Sequence, residues 1–226
     1  MKYKEFLGQS LLAQQDVVSL LGPSGTGKSF CAIFLEKFGY KIVPQITTRK
    51  PRPDDKHYTY VSHKQFVDGL NNGKILGYYS GDIKTLSGGN GYGYSIEKLK
   101  ELLQNPTAKL ILFPSAYELQ ESDFVKKYGN TTKIAITFLN PYTVVKRAQY
   151  AGKVFSSDEI LSRINMVKEL TTAMNQYANR VHDKNFHIIL SDSFGENRQQ
   201  SEKEQLKQVC KLINIPTNQF EEYFKE

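Results

Sequence analysis

Val17-Val18-Ser19-Leu20-Leu21-Gly22-Pro23-Ser24-Gly25-Thr26-Gly27-Lys28-Ser29 decides the fold. A short apolar run leads straight into G-x-x-x-x-G-K-S. That order is a buried strand, a glycine loop and a helix start. Glycines let the backbone turn tightly, so that successive N–H groups point into one concavity that fits a phosphate chain. The positive end of the following helix adds to the attraction. Gly22, Pro23, Ser24, Gly25, Thr26, Gly27, Lys28 and Ser29 are therefore expected to bind a nucleoside triphosphate. Lys28 has the reach for the β- and γ-phosphates, and the Ser29 hydroxyl suits Mg²⁺. A plain glycine-rich turn would not need every fixed position filled with a strand in front. This stretch alone does not say what happens to the γ-phosphate.

Composition sets outer bounds. The chain has 226 residues, 39% hydrophobic and 23% charged, which is ordinary for a soluble globular protein. No apolar stretch approaches the length that spans a bilayer, and no apolar h-region follows Met1-Lys2-Tyr3-Lys4-Glu5. A cytoplasmic protein with no membrane partner is expected. Cys31 and Cys210 are the only cysteines and are expected to be free thiols. The net charge of +7 suits anionic ligands. A nucleic-acid partner would rest on that charge alone and ranks last. Oligomeric state is not legible.

In chain order, residues 1–15 read as a short helical extension, residues 29–38 as the helix after the loop and residues 41–45 as a second short strand. Residues 46–60 are dense in Thr, Arg, Lys, Pro and Asp and read as a loop, although Tyr58-Thr59-Tyr60-Val61 alternates like a strand. Ser62 caps a helix to Asn71. Residues 73–95 carry seven glycines and read as irregular, outside the core. Helices are expected from Ser95 to Leu103, from Ser115 to Lys126, from Pro141, from Ser156 to Arg180 and from Ser201 to Ile213. Leu110–Phe113, Lys133–Leu139 and His187–Leu190 read as buried strands. Apolar strands alternating with amphipathic helices imply an α/β fold, a parallel sheet covered by helices on both faces.

A second constellation is Thr47-Thr48-Arg49-Lys50-Pro51-Arg52. Arg49 and Arg52, with Tyr58 beyond, suit a phosphate dianion, because a guanidinium fork donates two hydrogen bonds to phosphate oxygens. Taken alone, a solvated basic loop explains the stretch equally well.

The phosphate loop, T-T-R-K-P-R, Y-T-Y-V-S and Tyr92-Gly93 together resemble guanylate kinase. The resemblance runs on more weakly through Phe138-Leu139-Asn140-Pro141, Arg147, Arg163 and Ser191-Asp192-Ser193. It implies a single domain over residues 1–226, with a core at 16–45, 96–147 and 159–226. An acceptor-binding insertion would fill residues 46–95, and a lid residues 148–158. It implies ATP-dependent phosphoryl transfer to a nucleoside monophosphate, GMP by resemblance. Lys28, Arg49, Arg147 and Arg163 would be catalytic, joined by Lys153 from the lid. Arg49, Arg52, Tyr58 and Tyr92 would hold the acceptor phosphate.

The departures from the family are as informative. Gly77 stands where the family reads guanine with a carboxylate, and Phe113-Pro114 stands where a second carboxylate ends a core strand. The expectation is that GMP is a poor acceptor, or is read by other groups such as Asp82 or Glu118. Other readings stay open: a kinase for another nucleotide or a ribose bisphosphate, or a nucleotide-binding interaction module. The intact phosphate loop disfavours the last.

Overall fold

The apolar run at the head of the decisive stretch forms a strand, β1 (Asp16–Leu21), with five of its six residues buried. The computed structural model describes residues 16–52, 55–121, 124–128, 131–150, 154–191 and 198–224. The expectations for residues 1–15, Lys153 and the Asp192-Ser193 turn lie outside them. The chain divides into two compact units, Met1–Ser19 with Gly39–Thr131, and Leu20–Phe38 with Thr132–Glu226.

In the first unit, β1 pairs in parallel with β7 (Lys109–Leu112), in the register Val17 to Leu110 and Ser19 to Leu112. Strand β2 (Tyr40–Ile42) lies along the other edge of β7, also parallel. Parallel strands are covered on both faces, which is why they read as continuous apolar runs. Within this unit the strands of the larger sheet lie in the order β2-β7-β1.

The same unit carries a four-stranded sheet in the order β4-β3-β6-β5, built from β3 (Gln45–Thr47), β4 (Tyr58–Tyr60), β5 (Ile75–Tyr79) and β6 (Gly91–Ser95). Two expectations fail here. Residues 41–45 are not one strand, because β2 and β3 belong to different sheets, and Pro44 between them has no N–H for a ladder. Residues 73–95 are not irregular throughout. They hold both β5 and β6, and Leu76, Tyr79 and Tyr94 are buried. The glycines there serve strand packing. A Cβ on Gly77 would meet the Tyr92 carbonyl oxygen at 2.3 Å and Gly93 Cα at 2.5 Å.

Helix α1 (Lys28–Glu36) follows the glycine loop in the second unit. Helix α2 (His63–Asn71) belongs to the first unit and starts as expected at Ser62. The Ser62 hydroxyl accepts from the Gln65 N–H, and the Gln65 side chain accepts from the Ser62 N–H, a reciprocal capping box. Its Phe66 and Val67 pack on Ile75 and Tyr79 of β5. Helix α3 (Ile96–Leu103) is capped by Ser95 and buries Ile96, Leu99 and Leu103, one face at helical spacing. The expected helix from Ser115 to Lys126 is instead a 3₁₀ turn at Ala116–Gln120 and a short α4 (Phe124–Tyr128). Glu121 breaks the run by adopting an extended backbone, with ψ 141°.

In the second unit, β8 (Thr132–Phe138) pairs in parallel with β9 (Phe186–Ser191). Helix α5 (Thr143–Tyr150) starts just after Pro141, and α6 (Ser157–Val181) starts from a capping box between Ser156 and Glu159. Phe138, Val144, Val145, Ile164 and Val167 form a core cluster that joins β8, α5 and α6. Helices α7 (Arg198–Leu212) and α8 (Thr217–Tyr223) complete the unit. Phe220 of α8 packs on Phe34 of α1, with ring centroids 6.0 Å apart. Among the described residues, no helix is long and apolar enough to cross a membrane.

Candidate functional site

The glycine loop of the second unit is a tight turn held by its own carbonyls. Gly22 has φ +132°, and a Cβ there would meet the Ile136 carbonyl oxygen at 2.0 Å. No side chain fits, so the spacing of the motif is enforced by β8 as well as by the turn. Gly27 caps α1 in the left-handed region, which places Lys28 and Ser29 in the first helical turn. Lys28 Nζ donates to the Gly22 carbonyl at 2.7 Å and to the Pro23 carbonyl at 2.6 Å. The buried Thr26 hydroxyl donates to the Pro23 carbonyl at 3.0 Å. Arg147, at the last turn of α5, donates to the Gly25 carbonyl and pairs with Glu202 at 3.6 Å. Burial lowers the Lys28 pKa to about 8, because a desolvated ammonium loses its hydration, while a nearby Cys31 thiolate would raise it. Ser24, Gly25 and Ser29 remain exposed.

This loop can do one thing well. Its carbonyls are engaged by side-chain donors from Lys28, Thr26 and Arg147, and its ammonium carries a positive charge at neutral pH. A polyanion that displaces the carbonyls from Lys28 stabilises the charge that burial penalises. Arg163 lies on α6, where its guanidinium stacks over Phe155 at 4.2 Å from the ring centroid. Phe155 is one of the residues read as a lid, and this contact differs in kind from the Arg147 contact with the loop.

The first unit holds the second arginine cluster. The two threonines ahead of Arg49 are anchors. Thr47 Oγ1 donates to the Gly91 carbonyl at 2.8 Å, and Thr48 Oγ1 accepts from the Gly91 N–H at 2.7 Å. The chain is thereby pinned to the start of β6 at the point where Arg49 leaves the sheet. The Arg49 guanidinium lies over the Tyr58 ring at 4.5 Å and over the Tyr60 ring at 6.0 Å. It grips the Asp55 carboxylate through both terminal nitrogens, Nη1 to Oδ2 at 2.8 Å and Nη2 to Oδ1. The Arg52 N–H donates to the same carboxylate at 2.7 Å, and the Tyr60 hydroxyl also donates to it. Both side chains are largely covered, with 9% of Arg49 and 10% of Asp55 exposed. The Arg49 bond holds Asp55 well below the usual carboxylate range and raises Arg49. Burial raises the Tyr92 phenol, while Arg49 and Arg52 pull it back, so Tyr92 feels the same positive field.

Arg49 and Tyr58 are thus in contact, Arg52 joins the cluster through its backbone N–H to Asp55, and Tyr92 lies in the field of both arginines. Asp82 is not among them. It lies on the turn after β5, bridged to Ser87, with its Oδ1 accepting from the Lys84 N–H at 2.7 Å. Glu118 is buried in a network of its own. It accepts from the Ser115 N–H at 3.0 Å and from the Tyr128 hydroxyl at 3.0 Å, and it lies 3.5 Å from Lys127 Nζ. Burial pushes its pKa up to about 7, against the pull of Lys127. Lys127 also bonds Glu121 and the Gly77 carbonyl, the latter at 3.4 Å.

Asp55 and Tyr60 were missed in the sequence. The available signal was the alternation Tyr58-Thr59-Tyr60, which puts both tyrosines on one face of a strand. Among the described residues, no group of three or more His, Cys, Asp or Glu is placed to hold a metal ion.

No protein-family model matches the chain. A guanylate kinase from Lactobacillus acidophilus is 30% identical over 167 residues, covering 70% of this chain and 76% of the relative. A guanylate kinase from Helicobacter pylori is 29% identical over 162 residues, covering 69% of this chain and 73% of that one. Among solved structures, guanylate kinase from Anaplasma phagocytophilum superposes with a TM-score of 0.56 at 16% identity, covering 91% of this chain and 88% of that one. That likeness bears on the fold, an α/β arrangement with a parallel sheet flanked by helices.

Proposed function

The chain belongs to the guanylate kinase family, and on that premise we propose that it transfers the γ-phosphoryl group of ATP to GMP. The observation that carries the reading is the Arg49 cluster. A covered guanidinium that already holds a carboxylate with both terminal nitrogens, beside two tyrosines, is built to hold an oxyanion.

In this reading residues 22–29 bind the triphosphate, and Lys28 leaves the Gly22 and Pro23 carbonyls for the β- and γ-phosphates. Arg49, Arg52, Tyr58 and Tyr92 hold the acceptor phosphate. An oxygen of that phosphate attacks the γ-phosphorus, the bond to the β–γ bridging oxygen breaks, and ADP leaves with the electron pair. Little covalent chemistry is asked of the protein, since catalysis is positioning and charge stabilisation. Arg147 and Arg163 supply positive charge to the transferring group. Mg²⁺ suits an exposed Ser29 hydroxyl together with phosphate oxygens, an all-oxygen set, and when bound it neutralises charge on the β- and γ-phosphates. The cytoplasm, where both nucleotides are found, is the proposed location.

Gly77 bears on how the base is read. No side chain fits there, so a carboxylate at this position is excluded by the strand pair itself. Guanine is then read by other groups of the first unit, or the preferred acceptor is a different monophosphate. A coupled ADP-release assay over GMP, AMP, UMP, CMP and dTMP separates these. GMP-dependent release well above the others supports the reading, and release with another monophosphate alone replaces GMP by that acceptor.

A further inference from the structure

Helix α7 begins nearly 170 residues after the glycine loop, yet its Gln205 reaches that loop and its Glu202 reaches Arg147, which itself bonds the loop. They are three residues apart, on one helical face. Gln205 is buried, with 3% exposed. Its Nε2 donates to the Thr26 carbonyl at 3.4 Å and contacts Cys31 Sγ at 3.1 Å. The amide also lies against Gly27. A Cβ on Gly27 would meet Gln205 Nε2 at 2.8 Å and Oε1 at 3.3 Å. Glu202 pairs with Arg147, which itself donates to the Gly25 carbonyl.

A phosphate-binding turn works by aiming N–H groups at the anion, so its carbonyls must find donors on the other side. For Gly22 and Pro23 those donors come from within the motif, from Lys28 and Thr26. For Gly25 and Thr26 they come from Arg147 and Gln205. The Gln205 amide does this at a cost, because its Oε1 is buried without a hydrogen-bond partner among the described residues. A methionine or leucine would fill the space without that orphaned oxygen. What a glutamine adds is the donated N–H to the Thr26 carbonyl.

We propose that Gln205 and Glu202 make α7 the backing of the triphosphate loop, Gln205 as a positioning residue for Thr26-Gly27 and Glu202 as a positioning residue for Arg147. The proposal rests on the reading of residues 22–29 as an ATP site. Neither side chain touches the nucleotide. Each fixes a group that does, so the effect falls on the donor side and leaves acceptor use alone.

The test measures MgATP binding by calorimetry, with no acceptor present, for the wild type, Gln205→Met and Glu202→Gln. Gln205→Met keeps the volume and removes the donor, and the expected result is a Kd raised about three- to tenfold. Glu202→Gln, at the rim of the helix, keeps the fold secure and is expected to raise Kd about twofold. The split in kinetics is the readout that a merely structural role would not give: KM for ATP rises in both variants, while KM for GMP stays at the wild-type value. Wild-type ATP affinity in both folded variants, or equal rises in the two KM values, overturns the proposal. Absence of ATP binding by the wild type overturns the ATP-site reading itself, a different failure from the first.

Discussion

Lys28 is held by two loop carbonyls in a site that desolvates it, and the desolvation lowers its pKa to about 8. A triphosphate favours the charged form and raises that pKa. Nucleotide binding near pH 8–9 is therefore expected to take up a proton, and affinity is expected to fall as pH rises through 8. Calorimetry in buffers of different ionisation enthalpy reads the uptake directly, and Lys28→Ala should abolish it together with phosphoryl transfer. The stability linkage has the opposite sign. Between pH 8 and the unfolded value near 10.5 the unfolded chain holds more protons, so this lysine makes the empty protein more stable as pH rises across that window. On the acceptor side, Arg49→Ala and Arg52→Ala each remove charge-assisted bonding. Each is expected to raise KM for the acceptor about ten- to hundredfold, while ATP affinity holds. Arg49 was legible as a candidate, because arginines three apart in a Pro-rich loop suit a phosphate. Its partner Asp55 was not, because nothing local says which of several acidic residues will turn back onto the arginine.

The elements were legible where one segment carries its own signal. The Ser62 cap and the 96, 99, 103 face of α3 are local patterns, and both are found as read. Strands β5 and β6 were lost because glycine reads as a breaker in isolation, whereas here it answers a non-local demand. Gly77 pairs with Gly93, and the two backbones approach too closely for a side chain on either. Gly77→Ala is accordingly expected to destabilise the protein by about 1–3 kcal/mol, the usual cost of forcing an extra carbon into a packed site, read as a lowered urea midpoint. Ser62→Ala loses one half of a capping box and is expected to cost about 1 kcal/mol, without changing ATP affinity. The backing of the loop by Gln205 had no signal in the sequence at all, since a glutamine in a polar helix reads as surface until the fold shows it buried.

At the scale of the whole molecule, a chain of net charge +7 places Arg49 and Lys28 in different compact units. In the proposed function the donor-side residues Lys28 and Arg147 lie in the second unit, and the acceptor-side residues Arg49 and Arg52 in the first. Binding should therefore separate cleanly, with ATP affinity surviving Arg49→Ala and GMP affinity surviving Lys28→Ala. Turnover requires both. The most direct measurement is ADP release by the purified chain with MgATP, with and without GMP, for the wild type, Lys28→Ala and Arg49→Ala, alongside thermal melts of all three. ADP release that depends on GMP is expected in the wild type, and its loss in both variants with melting temperatures close to wild type. ATP bound by the wild type with no GMP-dependent ADP release, or turnover that persists in folded Lys28→Ala, would contradict it.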